Sequence, residues 1–567
     1  MSMTRRQMIK MMAASVPTLQ YAQAFGQQAI TATNGAAAAV PPEPPLPTAP
    51  IPIIPPAGFG VCKGPFQPTW ESLSTREIPE WYRDVKFGIW AHWGPQCQPE
   101  QGDWYAQRMY QFSNDPNSAY QFHCKKYGHP SKFGFKDVCN EWKAEKWDPV
   151  ALIALYKKAG AKFFAQMINH HDGFDMFDST YQPWNSVRVG PKKDLTGLWA
   201  KAARKAGLRF AVSSHGGRTN SWFGVSRGAD PSGPMQGMHY DGVMSKADGK
   251  GLWWDGLDPQ DLYAQYMPRP ARGSGRGGFG FGGGAPDKAY SEKFFNRIVD
   301  CINKYDPDIL YFDDSVMPLY PSTDVGLRIM AYLYNKSIQR HGKMDAVMTG
   351  KDLNADQRKA VTRDLERAVA GAADPLPWQT DTCIGDWHYR RSIFEQHRYK
   401  TPIQVVQMLI DIVSKNGNLM LNIPLPGNGM PDDDEMKVLD GLAKWMPVNG
   451  EAIYGTRPWA VYGEGPSVTG QQRRGMGSDV RSYTAEDFRF TKKGKIVYAF
   501  MMRWPETGKA TIKSLAQGSE NFPGRIAKVN LLGAGSLKFT HDASGLVVNL
   551  PDKKPNDYAY ALKITPA

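Results

Sequence analysis

Histidine and acidic residues recur at the ends of β-rich segments in the central part of this chain. Carboxylates can act as nucleophiles or exchange protons, and a neutral imidazole donates at one ring nitrogen and accepts at the other. If such groups met at one point, they could bind a polar substrate and carry out acid–base or nucleophilic chemistry on it. The segments end in His92-Trp93, Asn169-His170-His171-Asp172, Ser213-Ser214-His215, Asp313-Asp314, Asp364 with Glu366, and Gln379 with Asp381.

The alternation of these segments with helices predicts the element that would bring the groups together. Eight β-rich runs alternate with amphipathic helical runs, which is typical of parallel βα units. We predict an α/β fold, a (β/α)8 TIM-like barrel over residues 61–455. Reactive groups of such barrels lie at the carboxyl ends of the strands, which is where the polar residues occur. The predicted strands are 86–93, 161–170, 208–215, 308–314, 345–350, 360–366, 377–381 and 417–424.

Two further regions lie inside and after the barrel. Residues 216–289 form an insertion with a Gly-rich run at 272–284, whose weak GxGxxG match lacks a preceding strand and is predicted to be a flexible loop. Residues 456–567 are predicted to form a C-terminal antiparallel β-sandwich. Its β-rich runs are 496–502, 528–532, 545–550 and 558–564.

The first residues have the layout of a twin-arginine export signal. Arg5-Arg6 precede an apolar run at 11–19 and an Ala22-Gln23-Ala24 site, so residues 1–24 are predicted to be a signal peptide. The Ala- and Pro-rich residues 25–60 are predicted to be an extended linker. We therefore expect a periplasmic or secreted protein. The apolar run is too short to span a bilayer, so no membrane contact is expected after signal removal.

Composition excludes several classes of protein. The 567 residues have a mean hydropathy of -0.48, which rules out a polytopic membrane protein. The net charge of +13 comes from interspersed charges of both signs, which favours a solvated surface over nucleic-acid binding. The 17 Trp and 25 Tyr suit a cleft that stacks sugar rings, although core packing accounts for most of them. The six cysteines lack CxxC spacing, so disulfides are possible in an exported chain, whereas neither zinc nor any other cofactor is expected.

Several motifs follow one another in the barrel region. They are Lys86-Phe87-Gly88-Ile89-Trp90-Ala91-His92-Trp93-Gly94, Asp103-Trp104-Tyr105, His170-His171-Asp172-Gly173-Phe174, Trp184-Asn185-Ser186-Val187 and Ser414-Lys415-Asn416-Gly417-Asn418. Together they resemble the α-L-fucosidases of glycoside hydrolase family 29, over about residues 70–465. The resemblance implies a catalytic barrel, a C-terminal β-sandwich and hydrolysis with retention of anomeric configuration.

The resemblance also implies a nucleophile. The family places it at the end of barrel strand four in a pattern that Asp308-Ile309-Leu310-Tyr311-Phe312-Asp313 fits, so Asp313 is the predicted nucleophile. Asp314 is the rival. Neighbouring side chains of a strand face opposite sides, so only one of the two can point into the pocket.

Retaining hydrolysis needs a second carboxyl group about 5 Å from the nucleophile to act as acid and base. Many members of the family carry a glutamate where this chain has Gln379, which cannot exchange a proton. Glu366 is the preferred substitute and Asp381 the next, with Asp364 and Asp103 also open. Arg367 could instead hold Glu366 in a structural ion pair.

Other matched positions imply sugar contacts. His92, His170 and His171 correspond to residues that hydrogen-bond fucose hydroxyls, and His215 is a further candidate. A metal held by these histidines is disfavoured because HEXXH or CxxC companions are missing. Trp104 and Trp387 are predicted to offer apolar surface to the C6 methyl group, and Asp103 stands where some relatives have glutamate.

The leading expectation is an exported, retaining exo-α-L-fucosidase that removes terminal fucosyl residues from an oligosaccharide or glycoconjugate. An α-L-galactosidase, or another enzyme for fuco-configured sugars, is the alternative within the same class, because a loose methyl slot would admit a C6 hydroxyl. A catalytically inactive fucose-binding relative is the alternative outside it, motivated by Gln379.

Overall fold

A computed structural model describes residues 59–264, 286, 288–469 and 479–567 of the chain. The predicted signal peptide, nearly all of the predicted linker and the Gly-rich run 272–284 lie outside these residues. Among the described helices, none combines the length and the apolar character that crossing a bilayer requires.

Eight parallel strands form a barrel, as predicted. Seven neighbouring pairs are hydrogen-bonded in the order β6-β5-β4-β3-β2-β1-β8-β7. The gap between β6 and β7 is closed by a parallel bridge from Asp364 to Gln379 and by a hydrogen bond from the Arg367 N–H to the Asp381 carbonyl. The strands are β1 Phe87–Ala91, β2 Phe163–Asn169, β3 Arg209–Ser214, β4 Ile309–Ser315, β5 Val347–Lys351, β6 Thr362–Arg363, β7 Trp378–Cys383 and β8 Gly417–Asn422.

Strand β6 is shorter than the predicted run 360–366. Ala360 closes a one-turn helix, and Arg367 adopts a left-handed backbone conformation with φ of 44°. The chain therefore joins the sheet only at Thr362 and leaves it after Arg363. This early exit carries Glu366 out of the strand into the loop at the barrel mouth.

Helices cover the outside of the barrel. Several begin at an aspartate that caps free backbone N–H groups, as Asp148 and Asp194 do, and Asp432 forms a capping box with Glu435. The helices are Trp70–Leu73, Glu80–Val85, Tyr105–Arg108, Ala119–Lys126, Phe135–Glu141, Pro149–Lys158, Leu195–Lys205, Thr219–Trp222, Pro259–Tyr263, Lys288–Tyr305, Val325–His341, Gln357–Ala360, Arg391–Glu395, Pro402–Ser414 and Asp433–Asn449.

Alternation along the strands separates two cores. On β4, Ile309 and Tyr311 belong to the cluster that fills the barrel, whereas Leu310 and Phe312 pack outward against the helices. The register between β4 and β5 shifts between Tyr311 and Ser315, so the direction of the residues between them is read from their contacts. Asp313 contacts Lys351 and faces the barrel mouth, whereas Asp314 packs against Gly217 and faces away from it.

The described part of the insertion, up to residue 264, is anchored by buried polar contacts. Asp241 accepts hydrogen bonds from the hydroxyl groups of Tyr110 and Tyr263 at 2.6 and 2.5 Å, and its other partner is the Lys136 ammonium at 3.1 Å. These contacts hold the segment against the barrel mouth. Trp222 from this segment packs beside the rings of His170 and His171.

The C-terminal residues form the predicted β-sandwich. A six-stranded sheet in the order β14-β13-β17-β11-β10-β9 faces a three-stranded sheet in the order β12-β16-β15, and apolar side chains of both sheets share one core. The strands are β9 Arg457–Glu464, β10 Phe488–Lys493, β11 Ile496–Met501, β12 Lys509–Ile512, β13 Ile526–Leu531, β14 Gly535–Ser536, β15 Phe539–Asp542, β16 Gly545–Asn549 and β17 Tyr560–Pro566.

Buried charges join the sandwich to the barrel. Asp411 on helix Pro402–Ser414 lies 2.5 Å from Arg489 Nε of β10 and 2.8 Å from Lys415 Nζ, and all three side chains are buried. Removing one partner of such a buried group leaves an uncompensated charge, which costs about 3 to 5 kcal/mol. The sandwich is therefore fixed to the barrel by pairing as well as by packing.

The disulfides that export would permit are not present. All six cysteines are free, and four of them, Cys97, Cys139, Cys301 and Cys383, are buried. Buried thiols of this kind pack as small apolar groups.

Candidate active site

Polar side chains from all eight barrel positions converge at the carboxyl ends of the strands. This confirms the expected gathering at one rim, because each strand or the loop after it delivers at least one group. In barrel order they are His92, His170 with His171, His215, Asp313, Lys351, Glu366, Trp387 with His388, and Asn422.

Asp313 points into the mouth of the barrel and is ionised. Its side chain is 21% exposed, its Oδ1 lies 2.5 Å from Lys351 Nζ, and its Oδ2 lies 3.7 Å from His171 Nε2. Burial alone would raise the pKa of this carboxyl group, but the Lys351 ammonium, together with His215, His171 and Arg218, more than offsets it, so the pKa of Asp313 lies well below its usual value. The group is a carboxylate suited to nucleophilic attack.

Asp314 lies on the opposite face of the strand. A Cβ atom at Gly217 would come within 2.7 Å of its Oδ2, so its carboxyl group packs directly against that glycine. Its charged neighbour is Arg218, whose Nε lies 3.8 Å away. Burial raises the pKa of Asp314 to about 6. The structure thus separates the two adjacent carboxyl groups as strand alternation predicts.

Glu366 lies at the mouth, and the same lysine contacts it. Lys351 Nζ is 2.6 Å from Glu366 Oε2, and the glutamate side chain is 44% exposed. The Lys351 ammonium alone would lower the pKa of Glu366, but burial and the negative charges of Asp313 and Asp381 together raise it above its usual value. Glu366 can therefore hold a proton and exchange it with water.

The carboxyl oxygens of Asp313 and Glu366 lie close together. Both bond one nitrogen, at 2.5 and 2.6 Å, so they can be no farther apart than the sum of these distances. That limit is about 5 Å, the spacing at which one carboxyl group can attack a sugar carbon while the other protonates its leaving group.

Arg367 does not form the ion pair with Glu366 that the sequence allowed. Its guanidinium lies 4.6 Å from the centroid of the Trp387 ring and donates a hydrogen bond to the Gly385 carbonyl at 3.0 Å. The cation that pairs with Glu366 is Lys351. The indole of Trp387 is held from behind by this arginine.

Asp364 and Asp381 lie deeper, inside the barrel. Asp381 Oδ2 accepts a hydrogen bond from the Tyr311 hydroxyl at 3.0 Å, and Gln379 donates to Asp364 Oδ1 at 2.9 Å. Burial and the adjacent Asp381 raise the pKa of Asp364 well above its usual value. The two carboxyl groups are each less than 2% exposed and form a pair beneath the rim. Gln379 belongs to this inner layer.

The predicted histidines form one buried cluster. The His92 ring centroid is 4.8 Å from that of His215 and 5.2 Å from that of His170, and the rings of His170 and His171 are 4.4 Å apart. Burial lowers the pKa of His171 to about 4 and that of His215 to about 3, and it lowers the pKa of His92 and His170 well below the usual value. These imidazoles are neutral and can both donate and accept.

Trp387 and Asp103 lie beside the histidine cluster, and Trp104 is next to Asp103. Trp387 lies 5.8 Å from His92, and its backbone N–H donates to Asp103 Oδ2 at 3.3 Å. Trp104, next to Asp103, is half-buried and has a left-handed backbone with φ of 61°. Asp103 therefore ties the loop after β7 to the Trp104 loop.

Sequence analysis missed three groups of this site. Lys351 ends β5, and its place one residue beyond a predicted strand was the available signal. Asn422 ends β8 and accepts the His92 backbone N–H at 2.8 Å. His388 follows Trp387, and no spacing pattern marks it.

His388 also completes the one group of histidines in the described residues that could hold a metal ion. One nitrogen from each of His92, His170 and His388 lies within 4.8 Å of the others. This trio contains His388 in place of His171, whose Nδ1 contacts the His215 carbonyl at 2.7 Å and whose Nε2 lies 3.7 Å from Asp313 Oδ2.

The fold and the site together define a class. An eight-stranded barrel with two carboxyl groups no more than about 5 Å apart and a cluster of neutral imidazoles at its mouth is the active-site plan of a glycoside hydrolase. The comparisons with known proteins agree. Residues 60–451 match the family model Alpha-L-fucosidase, and residues 481–565 match the model Alpha-L-fucosidase C-terminal domain. The chain belongs to the α-L-fucosidase family.

Individual relatives extend this similarity along the chain. Tissue α-L-fucosidase of Rattus norvegicus is 25% identical over 520 residues, 89% of this chain and 94% of the relative. The structure is similar to an α-fucosidase of Thermotoga maritima in complex with fucose, with a TM-score of 0.62, 25% identity and coverage of 88% and 100%. A Bacteroides thetaiotaomicron α-L-fucosidase, solved as a trapped covalent intermediate, shares the fold, with a TM-score of 0.58, 15% identity and coverage of 87% and 98%.

Proposed function

We propose that this α-L-fucosidase is an exported, retaining exo-enzyme in which Asp313 is the nucleophile and Glu366 the general acid and base. The observation that carries the proposal is the pair of contacts that one ammonium group makes, at 2.5 Å to Asp313 and 2.6 Å to Glu366. A separation of at most about 5 Å between the two carboxyl oxygens is too short for the water molecule that an inverting enzyme holds between its base and the sugar.

In the first step, an Asp313 oxygen bonds to C1 of the fucosyl residue while the bond from C1 to the leaving oxygen breaks. Glu366 gives its proton to that oxygen. The product is a covalent fucosyl-enzyme on Asp313, with Glu366 ionised. The raised pKa of Glu366 and the lowered pKa of Asp313 suit these starting protonation states.

In the second step, Glu366 takes a proton from water, the water oxygen bonds to C1, and the bond to Asp313 breaks. Fucose leaves with its original anomeric configuration, and both carboxyl groups return to their starting states. The covalent intermediate trapped in the Bacteroides enzyme supports this course for the family, since a covalent intermediate is the signature of retention.

Substrate recognition falls to the neutral imidazoles and the indoles. His92, His170, His171 and His215 are proposed to hydrogen-bond the sugar hydroxyls, with Asp103. Trp104 and Trp387 are proposed to cover the C6 methyl group, and the packing of Arg367 behind Trp387 supports a fixed apolar wall.

Hydrolysis of 4-nitrophenyl α-L-fucoside, followed by NMR, tests the stereochemistry. α-L-Fucose should appear first and mutarotate later. The β anomer as first product would overturn retention. Faster turnover of the matching α-L-galactoside would favour that substrate instead. Gln379 was the reason to consider a catalytically inactive, fucose-binding protein. That reason no longer holds, because Gln379 bonds Asp364 inside the barrel and does not lie at the mouth.

Lys351→Met is expected to lower kcat/KM at the wild-type optimum by about 10- to 100-fold, the cost of a lost charge-assisted hydrogen bond. Lys351 lowers the pKa of both Asp313 and Glu366. Without it both pKa values rise, so the acid limb, which needs ionised Asp313, and the alkaline limb, which needs protonated Glu366, both move to higher pH. The pH profile of kcat/KM measures this.

Two variants serve as controls for this shift. Lys351→Arg keeps the charge and should keep the limbs near their wild-type positions. Lys343→Met removes a lysine that is 74% exposed and should change nothing. If Lys351→Met lowered kcat/KM equally at every pH and left both limbs of the pH profile in place, the electrostatic role of Lys351 would be contradicted.

Export is proposed from the amino terminus. Arg5-Arg6, the apolar run 11–19 and the Ala22-Gln23-Ala24 site support a twin-arginine signal and a periplasmic or secreted enzyme. Fractionation of cells that express the full chain, with an Arg5→Lys/Arg6→Lys variant, tests it. Equal amounts of both proteins outside the cytoplasm would refute dependence on the arginine pair.

A further inference from the structure

His388 is a buried imidazole with one committed nitrogen. Its side chain has no exposed surface, and its Nδ1 lies 3.3 Å from Asp103 Oδ1, which also accepts the His388 backbone N–H at 2.8 Å. A carboxylate only accepts hydrogen bonds, so Nδ1 carries the hydrogen. In a neutral ring this leaves a lone pair on Nε2, and Nε2 is buried with no hydrogen-bond partner among the described residues.

His170 carries its hydrogen on the other ring nitrogen, Nε2. Its Nδ1 lies 2.8 Å from Gln96 Nε2, which also donates to Asp172 Oδ2 at 2.9 Å, while Gln96 Oε1 accepts the Ala106 N–H at 3.4 Å. These partners orient the amide with its NH₂ group towards the histidine. His170 Nδ1 therefore accepts, and the hydrogen of its neutral ring is on Nε2.

His92 lies beside both of these rings, whose own centroids are 4.7 Å apart. Its centroid lies 4.6 Å from that of His388 and 5.2 Å from that of His170, and both of its nitrogens are buried without a partner among the described residues. The three rings bring one nitrogen each within 4.8 Å of one another. Buried polar atoms left without a partner are costly, so the trio calls for a bound polar group.

A hydroxyl group fits this trio better than a metal ion does. A hydroxyl needs one acceptor and one donor, which His388 Nε2 and His170 Nε2–H would supply. A metal ion needs a lone pair from each ring, and the His170 Nδ1 lone pair already accepts from Gln96.

We propose that Asp103 and His388 act as one unit that reads a single ring hydroxyl of the sugar, with His388 Nε2 accepting its proton and His170 donating to its oxygen. This rests on the proposed function, because the bound group is taken to be a fucosyl residue. In this unit Asp103 orients the His388 ring, and His388 makes the contact with the hydroxyl group.

The test uses 4-nitrophenyl α-L-fucoside and its 2-, 3- and 4-deoxy analogues with wild type, His388→Ala, His388→Gln and Asp103→Asn. His388→Ala should lower kcat/KM for the parent by about 10- to 100-fold, the cost of an unpaired buried hydroxyl. The loss should vanish for one deoxy analogue and persist for the others, because only that analogue lacks the partner. Asp103→Asn should also lower kcat/KM for the parent fucoside, and its loss should vanish for the same deoxy analogue.

Two further variants separate recognition from folding. His388→Gln keeps an acceptor and should recover part of the loss. His397→Ala removes a histidine whose side chain is 73% exposed, and it should match wild type on every substrate. Melting temperatures of all variants should stay close to that of wild type. An equal loss on all four substrates, or no loss, would overturn the proposal.

Binding measurements keep this result distinct from the fate of the proposed function. Calorimetry with L-fucose should show weaker binding to His388→Ala even if wild type hydrolyses no aryl fucoside, in which case only the hydrolytic function falls. If L-fucose binds equally to both proteins, the His388 assignment falls and the hydrolase proposal does not. Tight Zn²⁺ binding that His388→Ala abolishes and L-fucose displaces would show a metal site and also overturn the assignment.

Discussion

Replacing Asp313 by glycine is expected to reduce kcat/KM for aryl α-L-fucosides by about 10⁴-fold or more, because the covalent step has no other nucleophile. The glycine leaves a gap beneath C1 that a small anion can fill. Added azide should then attack C1 from the face that Asp313 occupied and release β-L-fucosyl azide. Product analysis by NMR, with and without azide, measures both effects.

Asp314 supplies the matched control for this variant. It is the adjacent carboxyl group, it faces away from the barrel axis, and Asp314→Asn should stay within about tenfold of wild type. In wild type, 2-deoxy-2-fluoro-α-L-fucosyl fluoride should label Asp313, as peptide mass mapping would show. A label on Asp314, or an Asp313→Gly variant with near wild-type rates, would refute the assignment.

Replacing Glu366 by alanine is expected to reduce kcat/KM by about 10²- to 10⁴-fold for aglycones that need protonation. Aglycones of low pKa, such as 2,4-dinitrophenol, leave without a proton, so the first step should be almost unaffected for them. Azide should accelerate breakdown of the fucosyl-enzyme and yield α-L-fucosyl azide, the anomer opposite to that expected from Asp313→Gly. Rates across a series of phenols of known pKa measure the first effect.

The control for Glu366 is Asp381→Asn, the rival carboxyl group. Asp381 is less than 2% exposed and bonded to the Tyr311 hydroxyl, so its loss should lower stability and activity without any dependence on the aglycone. The assignment would be reversed if Asp381→Asn showed the steep dependence on aglycone pKa and azide rescue while Glu366→Ala did not.

Much of the fold could be predicted from the chain itself, and the resemblance of its motifs to a known family singled out Asp313 as the nucleophile to propose. The eight barrel strands and the four predicted C-terminal β-runs all correspond to observed strands, because two-residue alternation and helix caps are properties of neighbouring residues. Strand alternation predicted only that Asp313 and Asp314 face opposite sides, and the structure places Asp313 against Lys351 and Asp314 against Gly217.

The second carboxyl group could not be chosen in this way. Asp364 and Glu366 follow β6, whereas Asp381 lies inside β7, and their depths differ because β6 pairs for only two residues before the chain turns at Arg367. Barrel closure then places Asp364 and Asp381 together inside and Glu366 at the mouth. No pattern within one segment encodes the depth of a group relative to a strand across the barrel.

What the sequence determined by itself is therefore the set of elements, their order and the face of each strand that holds polar groups, since these depend on contacts along the chain. The tertiary structure alone decided which groups share a partner. Lys351 bridges a carboxyl group of β4 and one of the loop after β6, and His388 meets Asp103, a residue 285 positions away. Such encounters depend on how strands and loops far apart in the chain meet when the barrel closes, and local periodicity carries no information about them.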